Sequence, residues 1–397
     1  MISDYRDKFN QAFSKEKYQA VLDSIAADFG HYPTFRVAET PFFVNKKLKE
    51  QLLQASEEIV SFISKPDFKE LTQPALDLTM DVEGEGDHTK FLAIDFGICK
   101  SEDGSPIPKL IEVQGFPTIF NFQKNLFEKF KAVYPMLEDF TPYLNRHDAE
   151  SYTEMLRKVV LNGYQPHEVI LLEIDPKNQN TRIDFDYAQR DLGIEAICVT
   201  EVIKEGNKLF YLNRDGLKTR IKRVYNRVIF DELHARTDLE MNFNFTDSLE
   251  VEWAGHPNWY NRISKFILPY LQGPYFIESR LLSTISTIPD DLENYVLKPL
   301  FSFSGSGVIF HVTPEHLRSV KHPDQYMLQR KVEYLPILQS PTGGVKAEIR
   351  IFAIWPESDL KPTIIGNLVR LSRGEMIGVK FNKDKDWVGG SIGVFEK

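Results

Sequence analysis

The chain has 397 residues, enough for two or three domains at about 150 residues each and for a sizeable buried core. Its 48 Lys+Arg against 57 Asp+Glu give a formal net charge of -9, which argues against the broad positive field that nucleic-acid binding draws on. With 42% hydrophobic, 26% charged and 12% aromatic residues, the composition is that of an ordinary globular protein, away from the disordered, collagenous and disulfide-rich classes.

Apolar residues three or four apart from Asp4 to about Phe29 predict an amphipathic helix that Gly30 can end, and a second such pattern runs from Lys46 to about Ile63. This helical start is expected to pack as scaffold. The texture changes at Lys90: Phe91 to Ile98 and Pro108 to Gln114 read as strands, with turn formers at residues 101–106 between them, so a hairpin is predicted. A helix near Asn121 to Val133 precedes another from about Asp148 to Leu161, with Asp148 as N-cap and Asn162-Gly163 as closure.

An alternating unit follows: strand Glu168 to Ile174, helix about Phe185 to Leu192, strand Ile194 to Val199, then strands Lys208 to Leu212 and Arg220 to Ile229. Runs such as Val169-Ile170-Leu171-Leu172 predict a parallel sheet covered on both faces. The final third returns to strands at Tyr295 to Lys298, Gly307 to Val312, Tyr326 to Val332, Ala347 to Trp355 and Thr363 to Leu371, with Gly389-Gly390 near the end. The expected division is 1–165, a helical region with a hairpin; 166–250, an inserted α/β domain; and 251–397, a second sheet-rich lobe.

Cys99 and Cys198 stand apart, among apolar neighbours and without zinc or disulfide spacing, so both read as buried free thiols. No stretch approaches the ~20 apolar residues needed to span a bilayer, and the first residues lack a signal-peptide core. The expected compartment is the cytoplasm, with no membrane partner.

Three constellations can carry chemistry. Lys298 ends a strand and is followed by Ser302-Phe303-Ser304-Gly305-Ser306-Gly307 and a second apolar run. This offers a fixed cation beside backbone N–H groups that can fold over phosphates; the same residues also read as a glycine hairpin with an exposed lysine. Neither a P-loop nor a dinucleotide fingerprint is present. The hairpin carries Asp95 on one strand and Glu112 with Gln114 on the other. Residues two apart share a strand face, so these oxygens suit Mg²⁺ held jointly with phosphates, or else form a solvated strand face. Strict alternation puts Glu348 with Arg350 on one face, and Arg370 with Ser372 on one face of the next strand. Such arginines either clamp a carboxylate or phosphoryl group or pair with acidic residues across the sheet.

None of the nine histidines forms a pair with zinc-ligand spacing, and no Gly-x-Ser-x-Gly elbow follows a strand. The basic run Arg220, Lys222, Arg223, Arg227 reads as a solvated strand face whose phase shifts at Arg223. Trp253, Trp259 and Trp355 read as core.

In order, these pieces resemble the ATP-grasp ligases, and more closely the circularly permuted branch of eukaryotic-type glutathione synthetase and glutathionylspermidine synthase, because the acidic strand precedes Lys298. Leu110 to Thr118 resembles the family's Glu-x-Asn metal strand; Val169 to Arg227, ending in Tyr225-Asn226-Arg227, its inserted substrate domain; Tyr295 to Val308 its lysine and glycine-rich loop. Ala347 to Phe352 is similar to the strand with a nucleotide-contacting glutamate, and Asn367 to Arg373 with Gly389-Gly390 resembles the arginine strand and glycine closure. About three quarters of the chain is covered by motifs that are individually loose.

The resemblance implies an α+β ATP-grasp fold in permuted order, with an inserted α/β substrate domain and a helical N-terminal segment. It implies ATP and Mg²⁺ as cofactors and a carboxylate-amine ligase that makes an amide through an acyl phosphate. By position, Asp95, Glu112 and Gln114 would be the metal residues. Lys298, Ser304, Gly305, Ser306, Gly307, Gln329, Lys331, Val332, Glu348 and Arg373 would meet the nucleotide. Arg370 and Arg350 would be catalytic, and Thr118, Arg227, Arg370, Gly389 and Gly390 would line the substrate site. Small carboxylate and amine substrates are the implied partners, and a homodimer is allowed.

The sequence departs from the family at Gln114 for asparagine, at Ala93 for an arginine, at Ser302, Phe303 and Ser304 for an acidic ligand, and around Arg182 and Asp184. These changes argue against glutathione synthesis itself. They leave two alternatives open, a nucleotide-binding protein of weak or no turnover and a small-molecule phosphotransferase.

Overall fold

The computed structural model describes residues 2–76, 81–302, 307–374, 382 and 384–397. Its organising element is a six-stranded antiparallel sheet. The order is Gly389–Ser391, Thr363–Ser372, Gly343–Ile354, Phe91–Lys100 and Pro106–Gln114, with the short strand Leu338–Ser340 paired to the start of Gly343–Ile354. The hairpin of the first expected segment and the arginine strands of the last are therefore one sheet.

Alternation along these strands separates two faces. Ile94, Phe96, Ile98, Ile349, Ile351, Val369 and Leu371 enter the main core, which the N-terminal helices complete. The helix Lys46–Ile63 forms as its spacing predicts: Asn45 caps it by accepting from the Leu48 N–H at 2.9 Å, and Leu48, Leu52, Ile59, Val60 and Ile63 are buried. Each large aliphatic side chain so buried contributes about 1.5–3 kcal/mol. The expected single helix over 4–29 is two, Ser3–Ala12 and Lys15–Phe29. Ser14 takes an extended conformation and accepts from the Lys17 N–H, so a capping serine restarts the helix. Gly30 ends the second helix with φ of 78°.

On the opposite face, Phe91, Ala93, Phe352, Ile354 and Leu368 pack against the inserted unit. That unit is a four-stranded parallel sheet in the order Glu252–Ala254, Arg223–Asn226, Val169–Glu173, Glu195–Cys198, and it includes a strand just beyond residue 250. It is apolar on both faces, Val169 and Leu171 on one side and Ile170 and Leu172 on the other, because helices or loops cover both. Its helix Ala149–Leu161 has the expected Asp148 cap, reciprocated by Ser151, and ends on Asn162 at φ of 45°.

The predicted strand Arg220 to Ile229 is two strands in two sheets. Lys218–Ile221 closes a small antiparallel meander, and Arg223–Asn226 joins the parallel sheet, so the phase shift at Arg223 marks a change of sheet. Arg223 is correspondingly 1% exposed rather than solvated. It donates to the Val159 and Val160 carbonyls and pairs with Glu252 and Glu357. Arg227 is buried as well. The expected strand over Gly307 to Val312 is reduced to a single bridge, Leu297 to Ile309. Cys99 and Cys198 are buried free thiols, and Trp253, Trp259 and Trp355 are buried.

Candidate functional site

Where the inserted unit leaves the sheet, its second face turns polar. Antiparallel register sets Asp95 opposite Glu112 on one side and Arg350 on the other, and Glu348 opposite Arg370. Arg350 donates from Nε to Asp95 Oδ1 at 2.5 Å and from Nη2 to Oδ2 at 2.6 Å, and Arg370 Nη2 reaches Asp95 Oδ2 at 2.5 Å and Glu348 Oε2 at 2.8 Å. Burial alone would raise the Asp95 carboxyl, but Arg350 and then Arg370 override it and hold it below the ordinary carboxylate range. Glu348 is raised, because burial and the charge of Asp95 outweigh its guanidinium contacts. The Arg370 Nε is buried without a partner.

Tyr334 donates its hydroxyl to Glu348. Gly97 makes room for this: a Cβ there would stand 2.7 Å from the Tyr334 ring, so the glycine lets an aromatic ring lie on the sheet.

Beside this face stands a three-stranded sheet, Ser279–Leu281, Tyr326–Arg330 and Tyr295–Pro299. Lys298, paired with Met327 in register, reaches diagonally across it and donates from Nζ to Gln329 Oε1 at 2.6 Å, while Gln329 Nε2 donates to Ser279 Oγ at 3.0 Å. Burial lowers the Lys298 ammonium to about 8, opposed by Glu112 and Glu348 and reinforced by Lys265. Lys265 is 6% exposed; its Nζ lies 3.0 Å from Glu112 Oε1 and donates to the Ser302 carbonyl at 2.7 Å.

A third group lies at the C-terminal ends of the parallel strands, the edge where open α/β sheets bind ligands. Glu173 ends its strand at 4% exposure, accepts from the Ile174 N–H at 2.8 Å and is pushed by burial up to about 8, although Arg227 opposes this. Arg227 donates to the Thr118 carbonyl at 2.5 Å and lies over the Phe116 and Phe185 rings, with its Nε and the Thr118 Oγ1 buried and unpartnered. Asp184 instead accepts the Asn121 and Phe122 N–H groups, capping the helix Phe122–Val133.

The structure thus gathers Asp95, Glu112, Glu348, Arg350 and Arg370 on one sheet face, Lys298 with Gln329 beside it, and Thr118 with Arg227 at the insert. Gln114 lies two residues beyond Glu112, opposite Ala93. Arg350 and Arg370, expected as catalytic groups, touch Asp95, expected as a metal residue, directly. Arg373 pairs with Asp386 at 2.8 Å and donates to Ser340 and Thr342. Lys331 donates to the Glu293 carbonyl at 2.6 Å, and Val332 is half-buried. Gly390 pairs with Arg370, while Gly389, at φ of 121°, abuts the Arg36 carbonyl. Gly307 has φ of 72°; Ser304, Gly305 and Ser306 lie outside the described residues.

Lys265, Tyr334 and Glu173 escaped the sequence reading. Lys265 had a signal, a lone cation in Ile263-Ser264-Lys265-Phe266-Ile267, and so had Glu173, an acid closing an apolar strand. Tyr334 had none. A separate open concavity of about 510 Å³ includes Tyr164, Lys208, Arg220, Lys222, Glu250 and Glu252. Four of its charges are already paired, Arg220 with Glu250, Lys222 with Glu168 and Glu252 with Arg223, so the chemistry points to the sheet face instead.

No protein-family model matches the sequence, and no curated protein is similar to it. Among solved structures, the chain is similar to a glutathione synthetase-like effector from Globodera pallida in its apo form. The likeness covers 90% of this chain and 94% of that one, with a TM-score of 0.58 and 14% sequence identity. The fold is glutathione synthetase-like. This mixed α+β fold, with several sheets, is what sets the Lys298 sheet beside the Asp95 face. Among the described residues, no helix is long and apolar enough to cross a membrane, and no cluster of three or more His, Cys, Asp or Glu is placed to hold a metal.

Proposed function

We propose that the chain is an ATP-grasp carboxylate-amine ligase in the circularly permuted order, forming an amide from a small carboxylate and an amine with release of ADP and phosphate. The observation that carries this reading is the buried Lys265 ammonium 3.0 Å from Glu112 between two sheets, with the half-buried Lys298 close enough to feel the charge of Glu112. Buried cations with few anionic partners are costly, and a polyphosphate is the kind of ligand that offsets them.

The donor set fits magnesium through Glu112, the Gln114 amide oxygen and the Ser302 carbonyl, since magnesium needs only one or two protein carboxylates when phosphates complete its shell. Asp95 is left out of that set because guanidinium groups engage both its oxygens. Bound there, magnesium would neutralise phosphate charge. Lys298 and Lys265 would fix the phosphates while the substrate carboxylate attacks the γ-phosphorus and ADP leaves. Arg370, held by Asp95 and Glu348, would turn its unpartnered Nε to the developing charge. An amine near Arg227 and Glu173 would then displace phosphate from the acyl phosphate.

One observation favours a second reading, nucleotide binding without turnover: of the expected metal carboxylates, Glu112 alone among the described residues is left free of guanidinium contacts. The test is ADP and phosphate release from Mg²⁺-ATP with pools of amino acids, peptides and polyamines, with Glu112→Ala and Lys298→Ala as controls. Turnover abolished by either control supports the ligase. Tight ATP binding with no turnover in any pool sinks it, and transfer to a substrate without amide product points to a phosphotransferase.

A further inference from the structure

We propose that Lys265 is a built-in counter-cation that occupies the divalent-metal position until nucleotide draws it away, so that the chain takes up metal only together with nucleotide. The inference rests on the nucleotide reading of the site and adds an order of assembly to it.

The Lys265 ammonium stands where hard oxygens converge. It bridges Glu112 Oε1 at 3.0 Å and the Ser302 carbonyl at 2.7 Å, linking the hairpin to the segment that follows Lys298. The Ser302 Oγ is buried without a partner, and Gln114 shares the strand face of Glu112. The carboxylate and carbonyl that hold the ammonium are donors a hard divalent cation takes, the Ser302 hydroxyl and the Gln114 amide are the nearest further oxygens in the chain, and a lysine now fills the place.

Charge makes the two occupants mutually exclusive. Lys265 and Lys298 are balanced by Glu112 and by Asp231, whose carboxyl also feels Lys265, while Asp95 and Glu348 balance Arg350 and Arg370. A divalent ion added beside both lysines would leave two excess positive charges in a largely buried site, where like charges repel strongly. A nucleotide triphosphate brings about four negative charges and gives Lys265 a better partner than Glu112. Lys265 opens the 3-10 helix Lys265–Tyr270, and its four-carbon stem can swing the ammonium toward phosphates with the backbone in place. The coupling is reciprocal: metal must tighten nucleotide binding by the same factor that nucleotide tightens metal binding.

The experiment titrates Mn²⁺ into the full-length chain and reads bound metal by electron paramagnetic resonance, alone and with a non-hydrolysable ATP analogue. Wild type is expected to bind Mn²⁺ weakly alone and about tenfold or more tightly with the analogue. Lys265→Met should gain tight Mn²⁺ binding without nucleotide, Lys265→Arg should behave as wild type, and Glu112→Gln with Lys265→Met should lose the gain. Each variant is compared only if it melts cooperatively. A Lys265→Met variant that folds and binds Mn²⁺ no better than wild type overturns the proposal, as does a double variant that keeps the gain. If Lys265→Met gains Mn²⁺ while no variant binds the analogue, the counter-cation stands and the nucleotide reading fails.

Discussion

Asp95 and Arg350 lie opposite each other on adjacent antiparallel strands and meet through two hydrogen bonds of 2.5 and 2.6 Å, with Asp95 1% exposed. Their separation of 255 positions in sequence makes the pair a product of sheet assembly, and Arg370 joins it from the next strand.

Breaking this pair leaves the buried Arg350 guanidinium and the partly exposed one of Arg370 short of charge. Asp95→Asn should cost about 3–5 kcal/mol of stability, read as a lower urea midpoint at pH 7. Because the folded carboxyl lies below its ordinary value, its stabilisation is present above the unfolded pKa and is lost as pH falls through the folded one. The variant should therefore lose less stability on acidification than wild type. An unchanged midpoint at pH 7 would remove the pair from the stability account.

The Tyr334 ring depends on Gly97. Gly97→Ala places a methyl 2.7 Å from that ring and should cost about 1–3 kcal/mol through overpacking. Tyr334→Ala in the same background should recover part of this loss, since it removes the atoms the methyl meets. A thermal melt of the single and double variants decides it, and equal losses in both would refute the contact.

Lys298 sets function against stability. Its pKa falls from 10.5 to about 8 through burial, so between pH 8 and 10.5 the unfolded chain binds more protons and stability from this group rises with pH. Lys298→Met should remove that rise and be at least as stable as wild type at pH 7. Nucleotide affinity should fall about tenfold to a hundredfold, as for a lost hydrogen bond to a charged group. Calorimetric titration at pH 7 and urea unfolding at several pH values separate the two effects; unchanged affinity would take Lys298 out of the site.

Glu173 has the opposite slope. With a folded pKa raised from 4.5 to about 8 by burial, the native state holds a proton the unfolded chain releases, so stability declines as pH rises from about 4.5 to about 8. Glu173→Gln keeps a neutral side chain of similar size and should be more stable than wild type at pH 8 by about 1 kcal/mol or more, with little difference at pH 4. A parallel pH dependence in both proteins would show that Glu173 is ionised in the fold.

Much of the local structure could be read directly. The helix Lys46–Ile63 follows from its apolar spacing, and the hairpin Phe91 to Gln114 from two strand patterns around a turn cluster. The break at Ser14 is hidden in the sequence because the apolar stripe continues across it, and the strand pattern at Gly307 to Val312 yields one bridge. In the site, Glu112, Lys298 and Arg370 were legible as chemistry-bearing residues at strand positions, whereas the partner of each was not.

The sequence by itself determined which side chains share a face, because strand and helix periods are local and are written in each segment. It could not determine that Asp95 spends its charge on Arg350 and Arg370, that Lys265 sits on Glu112, or that Arg223 is buried. Those outcomes depend on register between strands hundreds of residues apart and on how two sheets meet. Only the assembled chain sets those distances, and with them the burial that shifts Lys298 and Glu173.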